Sequence, residues 1–301
     1  MKVYYKFHDT NLNEDLEAAV HADRESEDAP HARALNGFFT VLGLCHTVLA
    51  SPSPDNTGAI DYKAQSPDEA ALVRAAADVG YVFKGREPGD VLVLQTPFGE
   101  EKYELLDVLE FTSSRKRMSV VVRKVGEEVE DRRLFLLCKG ADNVVFERLK
   151  EGVAAEALRE NTEIHLGEFA TKGLRTLTLA YKVIPGGLNI FLLDKKTLIL
   201  LFAEDEYAAW SGRYHAATVS IEDREGRIEA VSDELEQDMR LLGATAIEDK
   251  LQDGVPETIA DLKRAGIKIW VATGDKLETA IGESFFSYAQ MQDINGVSSF
   301  F

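Results

Sequence analysis

The sequence predicts an α+β domain with a central antiparallel sheet and flanking helices, followed by part of an α/β domain. Up to about residue 243, strand-like segments joined by short turns alternate with helical segments, which is typical of an antiparallel sheet. After that point a strand, a helix, a second strand and the start of a helix follow in turn. This order is typical of a parallel, doubly wound sheet. We therefore predict a domain boundary near residue 243.

Helices of the first part are predicted from apolar spacing and from start signals. Ser66 has the residue type of a helix N-cap, and Pro67 suits the first helical position because its nitrogen needs no hydrogen bond there. The segment 51–58 is rich in Ser, Pro, Asp and Gly, which predicts a loop. The predicted helices cover residues 32–50, 66–77, 142–149 and 154–171.

Strands of the first part are predicted from short runs of β-branched and apolar residues. Pro97-Phe98-Gly99 and the glycine at position 126 mark turns between them. The predicted strands cover residues 91–96, 102–109, 118–125, 134–138 and 175–183.

The second part places a polar motif at the end of a predicted strand. Strands are predicted at 244–247 and 267–272, and helices at 255–265 and from 276 to 281. Thr273-Gly274-Asp275 then follows a buried strand, at the sheet edge where ligands bind in such folds. A hydroxyl, a glycine and a helix N-terminus together suit a phosphate group. The alternative is that Asp275 simply caps the helix.

Composition and charge limit the classes of partner. The chain has 301 residues, is 45% hydrophobic and 29% charged, and carries a formal net charge of −18. This acidity disfavours a nucleic-acid partner and a polybasic membrane-surface module. Much of it lies in runs such as 222–238, which we interpret as a helix with a solvated charged face.

Cysteine usage and hydropathy indicate a reducing compartment and a soluble chain. Cys45 and Cys138 both lie among apolar residues, which predicts buried thiols rather than a disulfide or a metal site. The most apolar run, 188–203, contains Asp194 and two lysines at its centre. It is also shorter than the roughly 18 residues that a membrane helix needs.

Five short motifs occur in an order that resembles one protein family. They are Ser66-Pro67-Asp68-Glu69, the segment 111–119 beginning Phe111-Thr112-Ser113, Lys139-Gly140-Ala141-Asp142, Gly173-Leu174-Arg175-Thr176 and Thr273-Gly274-Asp275-Lys276. Together they resemble P-type ATPases, and the wording of 66–73 and 247–256 resembles the phospholipid-flipping branch. The resemblance covers most of residues 1–282. It implies a nucleotide-binding domain at 1–243, a partial Rossmann-like (haloacid-dehalogenase-like) phosphorylation domain at 244–282 and an atypical tail at 283–301.

Three candidate binding residues lie in the segment after the strand 102–109. The flat apolar ring of Phe111 suits stacking on adenine, although an ordinary core phenylalanine is the alternative. The Ser113 hydroxyl and the Lys116 ammonium can hydrogen-bond a nucleotide, whereas the residues 115–117 can also form a solvated turn. The resemblance implies that all three contact ATP.

The remaining candidates come from the other motifs. Without the resemblance, Glu69 is a first-turn acid, Lys139 a strand-ending cation and Arg175 half of a surface salt bridge. The resemblance implies that Glu69 accepts a hydrogen bond from adenine or ribose and that Lys139 lines the adenine pocket. It also implies that Arg175, with the Thr176 hydroxyl, contacts the phosphates, and that residues 273–275 lie beside the γ-phosphate.

Parts of the family pattern are not present in this sequence. The nucleophilic aspartate of Asp-Lys-Thr-Gly-Thr and the later Gly-Asp-Gly-x-Asn-Asp segment are missing, so we predict a truncated chain that is inactive alone and whose Mg²⁺ ligands lie outside it. Asp194 precedes Lys-Lys-Thr but lacks the Gly-Thr that follows the family's nucleophile. Residues 184–203 and 283–301 depart from the pattern. We interpret them as retained intron sequence, with a functional insertion as the alternative.

The resemblance implies the ATP-binding cytosolic portion of a P-type phospholipid-translocating ATPase. Such a pump would lie in the Golgi, endosomal or plasma membrane, and its membrane part would meet the phospholipid and an accessory membrane subunit. Two alternatives stay open: a catalytically silent nucleotide-binding module, and a phosphatase of the haloacid-dehalogenase type. The second would need a nucleophile such as Asp-x-Asp.

Overall fold

A computed structural model of the chain describes residues 9–21, 29–53, 59–126, 133–184, 189–194, 197–201, 204–248 and 254–269. The chain divides into two compact units. One contains Met1–Leu158 and Thr178–Gly243, and the other contains Arg159–Leu177 and Ala244–Phe301. The predicted domains at 1–243, 244–282 and 283–301 stay predictions, because the chain after residue 269 lies outside the described residues.

The helices and strands are numbered in chain order. The helices are α1 (Thr10–His21), α2 (Ala29–Leu44), α3 (Pro67–Asp78), α4 (Asp142–Phe146), α5 (Val153–Thr171), α6 (Glu204–Thr218), α7 (Arg224–Leu235) and α8 (Val255–Arg264). The strands are β1 (Leu49–Pro52), β2 (Ile60–Lys63), β3 (Val82–Glu87), β4 (Val91–Thr96), β5 (Gly99–Leu109), β6 (Arg117–Val125), β7 (Leu134–Gly140), β8 (Arg175–Ile184), β9 (Asn189–Asp194), β10 (Thr197–Leu201) and β11 (Arg240–Ile247).

A seven-stranded sheet in the order β11-β8-β7-β6-β5-β4-β3 organises the fold. Each neighbouring pair from β3 to β8 is antiparallel. Gly140 is the last residue of β7, a central strand of the sheet, and lies opposite Arg117 on β6 and Thr178 on β8. The predicted antiparallel sheet with flanking helices is thereby confirmed.

Helices cover this sheet on two faces. Helix α2 contacts β7, β3 and β4, and α3 contacts β3. On the other face a core of buried side chains joins the sheet to α4, α6 and α7; it includes Leu134, Leu136 and Cys138 of β7, and Trp210 and Leu235 of the helices. Because side chains alternate along a strand, Lys139 of β7 points to the α2–α3 face.

Helix α2 ends earlier than its apolar pattern predicts. The prediction ran to residue 50, but the helix stops at Leu44 and residues 49–52 form β1, which pairs with β2. The His46 ring explains the stop: Nε2 donates to the Gly43 carbonyl at 2.9 Å, and Nδ1 accepts from the Val48 amide at 3.1 Å. The buried ring thus satisfies backbone groups that a longer helix would have satisfied itself.

Helix α3 begins where the sequence predicts it to begin. Ser66 occupies the N-cap position with extended backbone and Pro67 is the first helical residue. The Ser66 side chain makes no capping hydrogen bond, however. Its carbonyl accepts from the Ala70 amide at 3.3 Å, so the helix starts through backbone geometry and the proline.

One predicted strand differs from the structure, and the predicted insertion at 184–203 stays a prediction. The segment predicted as an insertion at 184–203 contains the antiparallel pair β9–β10. The side chain of Asp194 lies outside the described residues, so its resemblance to a nucleophile is untested. Residues 267–269, predicted as part of a strand, have no regular structure.

Candidate functional site

Two of the predicted site residues form a buried ion pair. Lys139, near the end of β7, places Nζ 2.7 Å from Oε1 of Glu69 in the first turn of α3, and the two side chains are 8% and 15% exposed. The Thr47 hydroxyl donates to Oε2 of Glu69 at 2.7 Å, and the Thr47 amide donates to the same oxygen at 3.3 Å. Among the described residues, Glu69 is the hydrogen-bond partner of Nζ. The pair therefore leaves ammonium donors for a further acceptor.

The ion pair keeps Glu69 charged. Burial by itself would raise the pKa of this carboxyl group, but the Lys139 ammonium and the Thr47 hydrogen bonds outweigh it and lower the pKa below its ordinary value. Glu69 is therefore an acceptor at neutral pH. An adenine amino group or a ribose hydroxyl is a donor of the matching kind.

Gly140 allows a close approach between the ends of β7 and β6. A Cβ atom at this position would lie 2.6 Å from Cβ of Arg117 and 2.9 Å from the Lys116 carbonyl oxygen. That carbonyl accepts from the Ala141 amide at 2.9 Å, and Lys116 has a positive φ of 51°. A side chain at position 140 would push these backbones apart, so glycine is required for the contact. The backbone of Lys116 is thus held next to the segment that follows Lys139.

The segment 110–116, which we call the nucleotide loop after the role that the family resemblance predicts for it, presents every side chain except that of Arg115 to solvent. Phe111 is 59% exposed, so the core interpretation of this ring is wrong. Ser113 and Lys116 are exposed too, and their side chains have no hydrogen-bond partner within the described part of the chain. Thr112 orders the backbone: its carbonyl accepts from the Lys116 amide at 2.8 Å, and its hydroxyl from the Arg115 amide at 3.2 Å.

The two arginines beside Lys116 are buried, which corrects two interpretations of the sequence. Arg115 and Arg117 bind the fully buried carboxylate of Glu236 at 2.6 and 2.8 Å. The residues 115–117 are therefore not a wholly solvated turn, and the run 222–238 is not a wholly solvated face. A signal was present in the sequence: Arg117, Ser119 and Val121 lie on one side of β6, and the residues between them, Met118 and Val120, are apolar.

The other five predicted site residues belong to the second compact unit, and three of them lie outside the described residues. Arg175 and Thr176 begin β8, belong to the second compact unit and are partly buried. Thr273, Gly274 and Asp275 lie outside the described residues. The roles of these five residues stay predictions.

Comparison with known proteins identifies the family. The model for the P-type ATPase cytoplasmic domain N matches residues 34–254, which include the ion pair and the nucleotide loop. This chain belongs to the P-type ATPase family.

Relatives of the chain in the curated collections are phospholipid-transporting ATPases by name. Over 256 residues, or 84% of the chain, it is 44% identical to phospholipid-transporting ATPase DNF1 of Saccharomyces cerevisiae. It is 43% identical over 91% of its length to DRS2 of the same yeast, and 44% identical over 89% to phospholipid-transporting ATPase 10 of Arabidopsis thaliana. The chain spans 15%, 18% and 21% of the length of these relatives.

The described residues of this N domain hold neither a metal-binding cluster nor a helix that could cross a membrane. They contain no group of three or more His, Cys, Asp or Glu side chains arranged to hold a metal ion. The described side chains therefore do not form a Mg²⁺ site. No helix among these residues is long and apolar enough to cross a membrane.

Aspartate, serine and histidine side chains also meet on the other face of the sheet, but not as a catalytic triad. Asp107 of β5 is buried and accepts from the Ser211 hydroxyl at 3.1 Å and from the Tyr207 hydroxyl at 2.5 Å, while His215 Nε2 lies 3.3 Å from its other oxygen. Serine and histidine both bind the aspartate, so the histidine does not activate the serine. Burial and the bond to Asp107 raise the pKa of Tyr207 above its ordinary value. We interpret this cluster as the attachment of α6 to the sheet.

Buried groups behind the ion pair are held neutral. Burial lowers the pKa of His46 to about 4 and raises the pKa of the Cys45 thiol to about 12. Burial likewise raises the pKa of Cys138. Both cysteines are free and buried, as the sequence predicts. Neither thiol is a nucleophile at neutral pH, because the thiolate is the reactive form.

Proposed function

We propose that this chain is the ATP-binding N domain of a phospholipid-transporting P-type ATPase. The observation that carries the proposal is the exposed ring of Phe111 together with the side chains of Ser113 and Lys116, which have no partner among the described residues. All three belong to a loop whose backbone is bonded to the segment following Lys139. Full burial of a phenylalanine side chain contributes about 1.5–3 kcal/mol, and stacking on a base would recover part of this for Phe111, which is 59% exposed.

Each side chain has a separate part in the proposed site. Phe111 stacks on adenine, Glu69 accepts from the base or ribose, and Lys139 holds Glu69 charged while offering its remaining donors. Ser113 and Lys116 bind the nucleotide from the loop. Arg175 and Thr176 contact the phosphates, and Thr273, Gly274 and Asp275 lie beside the γ-phosphate.

Titration calorimetry with ATP tests the binding step. The unmodified chain should bind ATP, and Phe111→Ala should lower the affinity by about tenfold or more, the value of one base–aromatic stack. Phe98→Ala is a matched control, because Phe98 is also an exposed phenylalanine, on the turn between β4 and β5. Equal affinities of folded Phe111→Ala and unmodified protein would reject the pocket.

At the level of the whole pump, the proposal assigns this domain the delivery of ATP. The γ-phosphate would pass to an aspartate elsewhere in the protein, with Mg²⁺ bound by residues outside this chain. Movement of a phospholipid between leaflets and contact with an accessory subunit would belong to the membrane part. The pump would lie in a Golgi, endosomal or plasma membrane with this domain on the cytosolic side.

The same proposal predicts that the chain alone does not hydrolyse ATP. Phosphate release from ATP in the presence of Mg²⁺ should stay at the level of a protein-free control. Hydrolysis at the rate of a complete pump would show that the nucleophile lies within these residues and would overturn this part of the proposal.

A further inference from the structure

Glu236 is a buried carboxylate to which the proposed function assigns no part. It caps the C-terminal end of α7 and has no exposed surface. Its oxygens accept hydrogen bonds from Arg115 at 2.6 Å, from Arg117 at 2.8 Å and from the Ser119 hydroxyl at 2.5 Å. A side chain with this many charged and polar partners fixes the position of all of them.

Arg115 and Arg117 connect Glu236 to the backbone of the nucleotide loop. Arg115 donates through Nη1 to the Glu110 carbonyl at 3.0 Å, where the loop begins. Arg117 donates through Nη1 to the Arg115 carbonyl at 3.2 Å, where the loop ends. Both ends of the segment that carries Phe111 are therefore bonded to guanidinium groups that Glu236 orients.

A second carboxylate extends the same network to the residues after Lys139. Asp233 accepts from Arg117 Nη2 at 3.1 Å and from Arg148 Nε at 2.8 Å. Arg148 also donates to the Val144 carbonyl at 2.7 Å, within α4, which follows directly on β7. The network of Glu236, Asp233 and their arginines therefore bonds to both segments that meet near Gly140: the nucleotide loop, and α4, which follows β7.

We propose that Glu236 is a positioning residue for nucleotide binding. It acts from the face of the sheet opposite Lys139 and fixes the loop 110–116 in the conformation that presents Phe111, Ser113 and Lys116. A loop that is already ordered loses little conformational entropy when the ligand binds, so the affinity is higher. The inference rests on the proposed function, because it concerns the same site.

The variant Glu236→Gln tests this role by calorimetry with ATP. Glutamine has the shape of glutamate but cannot accept charge-assisted bonds from two guanidinium groups at once. The ATP affinity should fall by about tenfold or more. Glu234→Gln is the matched control on the same helix, since Glu234 is exposed and binds Arg213; its affinity should equal that of the unmodified chain.

A double-mutant cycle separates positioning from general destabilisation. Phe111→Leu keeps an apolar side chain and loses the ring face, so ATP binding stays measurable. If Glu236 acts through the loop, Glu236→Gln should lower the affinity less in the Phe111→Leu background than in the unmodified chain. Equal losses in both backgrounds would overturn the inference and leave the proposed function standing. An unmodified chain that does not bind ATP would overturn both.

Arg115→Lys keeps the inference testable should Glu236→Gln fail to fold. A lysine retains the cation beside Glu236 but lacks the fork that reaches both Glu236 and the Glu110 carbonyl. The ATP affinity should fall about threefold to tenfold, and the loss should again shrink in the Phe111→Leu background. An affinity equal to that of the unmodified chain would overturn the inference.

Discussion

Two buried carboxylates lie on opposite faces of the same sheet, and they differ in what they leave for a ligand. Glu69 lies beside one lysine and Thr47, with part of both charged side chains still exposed. Glu236 is enclosed by two arginines and Ser119, with no exposed surface. The first arrangement can exchange or add a partner without unfolding the chain. The second can only hold its neighbours in place.

Removal of Glu236 should have the largest effect on stability. Glu236→Ala leaves Arg115 and Arg117 buried without their carboxylate, which should lower the free energy of unfolding by about 3–5 kcal/mol. Urea denaturation measures the loss, with the exposed Glu234→Ala as the control, expected to change it by no more than about 1 kcal/mol. Similar losses in the two variants would mean that the buried contacts of Glu236 stabilise the chain no more than the exposed contact of Glu234 does.

Acid should destabilise the chain through His46, which lies beside Thr47 on the Glu69 side. Its pKa is about 4 in the folded chain and 6.5 ordinarily. A depressed folded pKa contributes stability above pH 6.5 that is lost as the pH falls towards 4, because the unfolded chain takes up the proton first. The loss should reach about 3 kcal/mol.

Urea denaturation between pH 7 and pH 4 measures this dependence. His46→Gln should lose less stability than the unmodified chain over the same interval, because it has no imidazole to protonate. A loss of the same size in both proteins would place the acid sensitivity elsewhere.

Glu69→Gln should affect ATP binding more than folding. Part of both charged side chains stays exposed and the lysine can still be hydrated, so the loss of unfolding free energy should be only about 1–2 kcal/mol. The lowered pKa of Glu69 means that this contribution is present above its ordinary pKa and disappears as the pH falls through the lower folded value. Denaturation at pH 7 and pH 3 follows it, and calorimetry with ATP should show a loss of about tenfold. Unchanged ATP affinity would contradict an acceptor role for Glu69.

Ser119→Ala should have the smallest effect. It removes one hydroxyl from Glu236 and leaves both arginines in place, which should cost about 1 kcal/mol of unfolding free energy. ATP affinity should not change, because neither end of the nucleotide loop bonds to Ser119. A fall in affinity would mean that the loop senses every bond to Glu236 rather than those of the arginines.

The sequence could predict elements that depend on a local pattern of residues, but not contacts between residues that lie far apart in the chain. Runs of apolar residues predicted β4 to β8, whereas β3 was missed because Lys84, Arg86 and Glu87 mask its alternation. The roles predicted for the polar residues of the nucleotide loop rested on the family resemblance. The bond between Arg115 and Glu236 joins positions 121 residues apart, and no local pattern reports such a pairing.

Side chains alternate between the two faces of the sheet along β7, so the number of residues in this strand matters as much as their types. Lys139 faces α3, while its neighbour Cys138 packs in the core beneath α6 and α7. Adding or deleting one residue inside this strand would turn the lysine towards the apolar side and the thiol towards the acid. Insertions should therefore be rejected in β7 but accepted at an exposed turn such as residues 88–90, between β3 and β4. The tolerance of this domain to changes in chain length thus differs from one element to the next.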